Sequence, residues 1–420
     1  MKIRFEYPEY GPFEVPDSNL LGLFQPKEVP QTDVDEDIIR RAIANPIGTP
    51  LLREMVDWST QVLILSDDIT RLTPSAAIIP PLVEELALGG VRKDNIRILI
   101  ASGTHRDMTE FELYKKLGPY VRTGFPVIYH RWRDEAELRY LGDTPGGTEV
   151  WVNKELLEAD LIIGIGHIVP HRVAGFSGGG KIIQPGVSGA KTTGQTHWLS
   201  AMVHGEEIFG KVDNPVRREI DWAAKMAGLK WVVNVIQDRT GKLVEAVVGD
   251  PVAAHRIGAE IARDVYGVRL PGKADIVLTD TYPADLDLWQ AAKGIYAADL
   301  AVREGGVIIL VSPCVGGVPA GRPEILEHGY LPFSEVRQKV EAGVFKDLTV
   351  AAHLVHVGRV IREKARAILV TKGLDKEQAE KLGFTYATTI REALSLALDW
   401  KGRDAKITVF RNGGEILPIV

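Results

Sequence analysis

The sequence predicts an α/β protein of two domains, each a largely parallel sheet flanked by helices, with the active site expected in the interdomain cleft. Three observations predict this. Short runs rich in Val, Ile and Leu alternate with amphipathic helical patterns, as they do where buried parallel strands are joined by helices. At 420 residues the chain exceeds what one ordinary hydrophobic core covers. Its 45% hydrophobic and 25% charged residues match a soluble globular protein.

Taken in order, the strand candidates are residues 61–66, 95–101, 161–165, 231–236, 275–279, 307–311 and 407–410. Between them, residues 215–227 and 252–265 repeat apolar side chains at i, i+3 and i+4, the spacing of one helix face. In 267–274, Pro271 and Gly272 break a helix before a fresh strand, which sets the expected boundary. The N-terminal domain is accordingly expected over 1–268 and the C-terminal domain over 274–405. Residues 406–420 form a terminal strand segment, expected to return to the N-terminal domain.

The formal charge of −6 is spread along the chain, leaving no footprint for nucleic acid or an anionic membrane. Cys314 is the only cysteine, which excludes a disulfide framework and a cysteine-based metal cluster. The N-terminus has no apolar signal region and no apolar run reaches transmembrane length, so a cytoplasmic protein is expected.

Ligands of open α/β sheets bind beyond the carboxyl ends of strands. Three strand candidates run into charged or titratable groups there: Asp68 and Arg71, then His105, then His167 and His171. Any one of these alone reads as a cap or a solvated loop residue, and Asp68 in particular as an N-cap. Their recurrence at equivalent positions points to a shared site.

Between Gly164 and Gly194 lie nine glycines with Lys181 among them, and His197 follows. Fixing so many glycines is entropically costly, so this loop reads as a binding surface. Gly175 to Lys181 satisfies the spacing of a P-loop, yet Ile182 stands where Ser or Thr must hold magnesium, and Pro185 and Gly186 stop the required helix. A zinc-protease reading of His167 and His171 fails because Pro170 breaks the helix and Ile168 replaces the catalytic Glu. There remains a phosphorylated cofactor approached by the amides of Ser177, Gly178, Gly179 and Gly180 and held by Lys181.

These residues resemble the lactate racemase family, and nearly the whole chain takes part in the resemblance. The matching elements are Asp68–Arg71 (DITR), Gly103–Arg106 (GTHR), His171 with Lys181 ten residues on, His197, and Trp289-Gln290 followed by Lys293. The resemblance implies a cytoplasmic isomerase: a racemase or epimerase of 2-hydroxy acids that works by proton-coupled hydride transfer. Its cofactor would be a nickel-pincer nucleotide, the Ni(II) complex of pyridinium-3-thioamide-5-thiocarboxylic acid mononucleotide, joined covalently to Lys181. His197 would be the nickel ligand; an imidazole beside soft sulfur and carbon donors suits planar nickel. His105 and His171 would be the catalytic acid/base pair. Arg71, Lys293, Gln290, Asp68 and Trp289 would line the substrate. The implied partners are a small 2-hydroxy acid and the enzymes that mature the cofactor.

Histidine fits the proposed role because its ordinary pKa of about 6.5 lets it accept and donate protons near neutrality. Arginine fits because its planar fork binds a carboxylate through two hydrogen bonds. Trp289 stands where the family's best-known pattern has tyrosine, and His353 and His356 lie where a tryptophan is expected. Together they suggest a substrate longer or more polar than lactate. Residues 312–324 form a second glycine-rich turn after a strand, in which Cys314 reads as a packed residue. The competing readings are an NAD-dependent 2-hydroxyacid dehydrogenase and a non-catalytic nucleotide- or phosphate-binding protein. The dehydrogenase would need G-x-G-x-x-G after a strand, and Gly164-Ile-Gly166 lacks the third glycine.

Overall fold

A computed structural model describes residues 1–30, 33–319 and 321–420. The chain divides into two compact units, one of residues 28–199 and 211–265, the other of residues 1–27, 200–210 and 266–420.

The first unit holds a six-stranded sheet in the order Leu243–Gly249, Leu229–Gln237, Leu161–His167, Val62–Asp67, Ile96–Ala101, Val127–Tyr129. All neighbours are parallel except the edge pair of Leu243–Gly249 with Leu229–Gln237. From Val62–Asp67 the chain steps outward to Ile96–Ala101 and Val127–Tyr129, then crosses back to Leu161–His167 on the other side. That reversal is the topological switch point, where the crevice beyond the strand ends accepts ligands. Val62–Asp67 is buried throughout, so its sequence is an apolar run rather than an alternation. Ile64, Ile98, Ile100 and Ile163 pack with Ile78 and Leu82 of helix Ser75–Leu88 and with Leu113 and Leu117 of helix Glu110–Gly124. The latter helix opens on a capping box of Thr109 and Glu112 and breaks at Gly118, whose φ is +73°.

The second unit holds a six-stranded, fully parallel sheet in the order Thr385–Ala387, Arg366–Val370, Val302–Val311, Ala274–Asp280, Ile407–Phe410, Leu20–Phe24. Ile276, Leu278, Ile309 and Val409 pack with Ile390 and Leu394 of helix Ile390–Lys401 and with Ile3, Phe5 and Phe13 near the N-terminus.

Here the structure departs from the sequence expectation. The strand Ile407–Phe410 does not return to an N-terminal domain; it pairs with Ala274–Asp280 and with Leu20–Phe24. Residues 1–27 therefore belong with the C-terminal sheet. Pairing between strands nearly four hundred residues apart leaves no local trace in either strand, so a boundary drawn from composition misses it. Gly267–Arg269, expected as part of a break, is a short strand paired with Leu417–Ile419. Among the described residues, no helix is long and apolar enough to cross a membrane.

Candidate active site

The ends of the two central strands deliver a carboxylate and an imidazole to the same place. Asp68 follows Val62–Asp67, and its Oδ2 lies 2.7 Å from Nδ1 of His105, which follows Ile96–Ala101. The other oxygen, Oδ1, accepts from Thr70 N at 3.0 Å and from Thr70 Oγ1 at 2.5 Å. Thr70 Oγ1 in turn accepts from Arg71 Nη1 at 2.9 Å, so Asp68, Thr70, Arg71 and His105 form one network. Asp68 is buried, while His105 and Arg71 are half-exposed. Burial alone would push the Asp68 carboxyl up, but His105, Arg71 and Thr70 outweigh it and hold the group well below the usual carboxylate range. An ionised Asp68 draws the imidazole proton to Nδ1 and leaves the lone pair of His105 on Nε2, the arrangement of a general base.

The glycine loop is tied to this cluster by Gly103 N, which donates to Gly186 O at 2.9 Å. Lys181 sits on the single 3-10 turn Gly179–Ile182, half-buried, with Nζ 3.3 Å from Nε2 of His171. His171 Nδ1 accepts from the backbone amides of Val173 at 3.1 Å and Ala174 at 3.3 Å. Its lone pair therefore lies on Nδ1, the opposite tautomer to that of His105. His197 is on helix Ala190–Ala201, with Nδ1 donating to Thr193 O at 2.8 Å. This places its lone pair on Nε2.

The loop glycines also have a packing role. Gly178, Gly179 and Gly180 are buried, and the space their side chains would fill is taken by protein atoms. A Cβ on Gly178 would lie 2.6 Å from Ile168, one on Gly179 2.9 Å from His255, and one on Gly180 2.9 Å from Ala224. Gly179 N is bound to Asn234 Oδ1 at 2.7 Å, and Ser177 Oγ donates to His167 O at 2.6 Å. These glycines let the loop pack tightly and so fix the turn that presents Lys181. Sequence reasoning missed what holds the loop: buried Arg217 donates to the carbonyls of Gly178, Ala174 and Phe176. Burial pushes its guanidinium down from the ordinary arginine range. An arginine on an amphipathic helix gives no sign in sequence that backbone carbonyls surround it.

Trp289, Gln290 and Lys293 fall in the second unit, on helix Leu288–Ala301, which is capped by Asp287 accepting from Gln290 N at 2.9 Å. Trp289 is stacked on His353 at 4.0 Å between ring centroids, and the Arg322 guanidinium lies 4.1 Å from the Trp289 ring. His353 and His356 are buried. The nitrogens of His353 meet Tyr330 Oη at 3.1 Å and Tyr296 Oη at 3.4 Å; His356 Nε2 meets Ser200 Oγ at 2.9 Å. Both nitrogens of His353 and Nε2 of His356 thus face neighbouring side chains. Cys314 is buried, and burial pushes its thiol up to about 11, as befits a packed residue. Within 312–324, Ala320 lies outside the described residues. Gly164 and Gly166 lie inside the strand Leu161–His167 rather than in a turn after it, so they form no dinucleotide loop.

A doubly wound sheet with a carboxylate–histidine pair, an arginine and a half-buried lysine at its switch point defines an acid/base enzyme site on an α/β scaffold. Family models described as the lactate racemase N-terminal and C-terminal domains match residues 8–210 and 271–417. The lactate racemase of Thermoanaerobacterium thermosaccharolyticum is 30% identical over 411 residues, covering 96% of each chain. That of Lactiplantibacillus plantarum is 28% identical over 399 residues, covering 90% of each. The solved structure of the lactate racemase apoprotein from Thermoanaerobacterium thermosaccharolyticum superposes with a TM-score of 0.90 at 30% identity, covering 100% of both chains. The chain belongs to the lactate racemase family, and family membership supports a racemase activity.

Proposed function

We propose that the protein interconverts the stereoisomers of a 2-hydroxy acid at the α-carbon, using a nickel-pincer nucleotide joined to Lys181. The observation that carries this reading is the Asp68–His105 pair beside Arg71, in the same unit as Lys181 and His197.

The residues present fit such a group. His197 donates from Nδ1 to a backbone carbonyl, the outer bond that orients a metal-ligating imidazole and directs Nε2 to the metal. In this reading His197 is the protein's one ligand and the nucleotide supplies the remaining donors; among the described residues no three His, Cys, Asp or Glu side chains cluster to hold a metal. Lys181 is half-buried on a turn fixed by close packing, as a covalent anchor must be. Bound there, the group supplies a hydride acceptor and donor, which spares the α-carbon from becoming a carbanion beside a carboxylate.

The chain's own groups do the rest. Arg71 binds the substrate carboxylate through its guanidinium fork. Nε2 of His105 takes the hydroxyl proton, and Asp68 stabilises the imidazolium that results. For the other stereoisomer the hydroxyl lies on the opposite side, where His171 exchanges the proton. To accept it at Nε2, His171 must turn its ring or change tautomer, since Nδ1 holds its lone pair. The substrate class is a 2-hydroxycarboxylate, because both recognition groups are specified by that unit alone.

The test is protein made alongside the cofactor-maturation enzymes and offered lactate, 2-hydroxybutyrate, malate, 2-hydroxyglutarate and phenyllactate in deuterated water. Chiral chromatography should show interconversion of at least one acid, and intact mass should show an adduct on Lys181. Interconversion of none of them, or rapid deuterium uptake at the α-carbon, would refute the reading.

A further inference from the structure

We propose that Lys116 is a positioning residue for substrate binding, the point to which the turn carrying Asp68 and Arg71 is fastened. The proposal rests on the reading of Arg71 as the carboxylate clamp. Lys116 comes from helix Glu110–Gly124, and its side chain is only 3% exposed. Its neighbours on that helix, Leu113 and Leu117, are core residues, so an apolar side chain would serve packing at this position as well.

What the ammonium touches explains why the position is charged. Nζ donates to Arg71 O at 3.0 Å and to Thr73 O at 2.9 Å, and lies 2.6 Å from Asp67 Oδ1. An ammonium has three protons and no acceptor, and here three oxygens surround it. All three belong to the segment between the end of the central strand and the start of helix Ser75–Leu88. Thr73 Oγ1 also donates to the Asp67 carboxylate, so the residues flanking the turn are tied to each other as well as to Lys116. Arg71 itself has one further backbone tether, its amide donating to Asp68 O at 3.1 Å. The position of the Arg71 α-carbon, and hence the reach of its long side chain, is thus set by Lys116 from one side and Asp68 from the other. A buried ion pair is a poor way to gain stability, and Asp67 Oδ1 faces Nζ without a hydrogen bond of good geometry, so what Lys116 supplies to the turn is its two bonds to the carbonyls of Arg71 and Thr73. Lys116 is turned wholly toward backbone and Asp67, so it acts through Arg71 and not on substrate.

Lys116→Met alone leaves Asp67 buried without its cation, so the paired variant Asp67→Asn/Lys116→Met, which removes both charges, is measured beside it. The first readout is amide hydrogen exchange over residues 68–74 in protein without substrate. The second is kcat and KM of the cofactor-loaded enzyme on whichever 2-hydroxy acid it interconverts, with Arg71→Ala as the reference. The expected result is exchange at least about tenfold faster in that segment and unchanged in the central strands, with KM raised about tenfold and kcat altered much less, the pattern of lost substrate binding. Exchange unchanged in 68–74 would overturn the proposal whatever the kinetics. So would an unchanged KM in the paired variant when Arg71→Ala raises it. If Arg71→Ala also leaves KM unchanged, it is the clamp reading that fails.

Discussion

Asp67 and Asp68 are adjacent, both buried, and pushed in opposite directions. Burial drives the Asp67 carboxyl up, with Lys116 and Thr73 only partly offsetting it. Asp68 faces His105, Arg71 and Thr70, which overcome its burial and keep it ionised. The charge on Asp68 decides the tautomer of His105, and that tautomer decides its chemistry. His105→Ala should therefore keep the fold and the Lys181 adduct while losing interconversion by about 10²–10⁴-fold, the usual contribution of a general base. Chiral chromatography with intact mass checks both halves, and near-normal turnover would remove His105 from the mechanism. Nitrogen-15 correlation spectra give a second check. In protein without the adduct, neutral His105 should carry its proton on Nδ1 and neutral His171 on Nε2, because Nδ1 of His171 accepts two backbone amides. Identical tautomers would contradict the arrangement. At this scale the sequence showed Asp68, Arg71 and His105 because each follows an apolar strand directly. Lys116 and Arg217 were hidden, since their partners are backbone carbonyls of distant segments.

At the level of elements, local pattern located six of the seven expected strands within two residues, because strands buried on both faces are written as uninterrupted apolar runs. Val302–Val311 is the exception; it begins five residues before the expected 307, in a stretch whose Arg303 and Glu304 are exposed. Arg366–Val370 escaped because it is short and opens on a charged residue, and Leu243–Gly249 because Lys242 precedes it and Glu245 interrupts it. The glycine loop was legible as special, but not the close packing of its glycines against Ile168, Asn234, His255 and Ala224. Gly179 precedes the turn's lysine by two residues and combines a φ of +59° with a Cβ position 2.9 Å from His255. Gly179→Ala should cost about 1–3 kcal/mol, from backbone strain and overpacking together. Chemical denaturation would show it, and the variant should also acquire less of the Lys181 adduct, because the same turn presents that lysine. A variant as stable as wild type would mean that the loop yields where tight packing is inferred.

Apart from the edge strand Leu20–Phe24, the two sheets share one plan: a strand at the switch point, a walk to one edge, and a return to the other side. Each switch-point strand ends in an aspartate, Asp67 with Asp68 in one unit and Asp280 in the other. The parallel, helix-flanked character of both sheets was readable from the strand runs. The join between chain termini was not, because the pairing of Leu20–Phe24 with Ile407–Phe410 has no local signature. The equivalent aspartates have opposite fates. Asp280 is fully buried and accepts from Gly413 N at 2.9 Å, and its Oδ2 has no hydrogen-bond partner among the described residues. Burial pushes its carboxyl up to about 7, against backbone N–H groups that pull it down. In the unfolded chain an aspartate titrates near 3.9. Below about pH 4 the group is protonated in both states, and its contribution to stability is fully present. Between about 4 and 7 the folded protein keeps a proton that the unfolded chain has lost, so stability falls as pH rises and the contribution is gone above about 7. Asp280→Asn, neutral at every pH and nearly isosteric, should come closest to wild type at about pH 4 and exceed it in denaturation midpoint at pH 8. Comparing the two proteins across that range cancels the titration of every other group. A difference that does not change with pH would show that Asp280 is ionised in the folded protein.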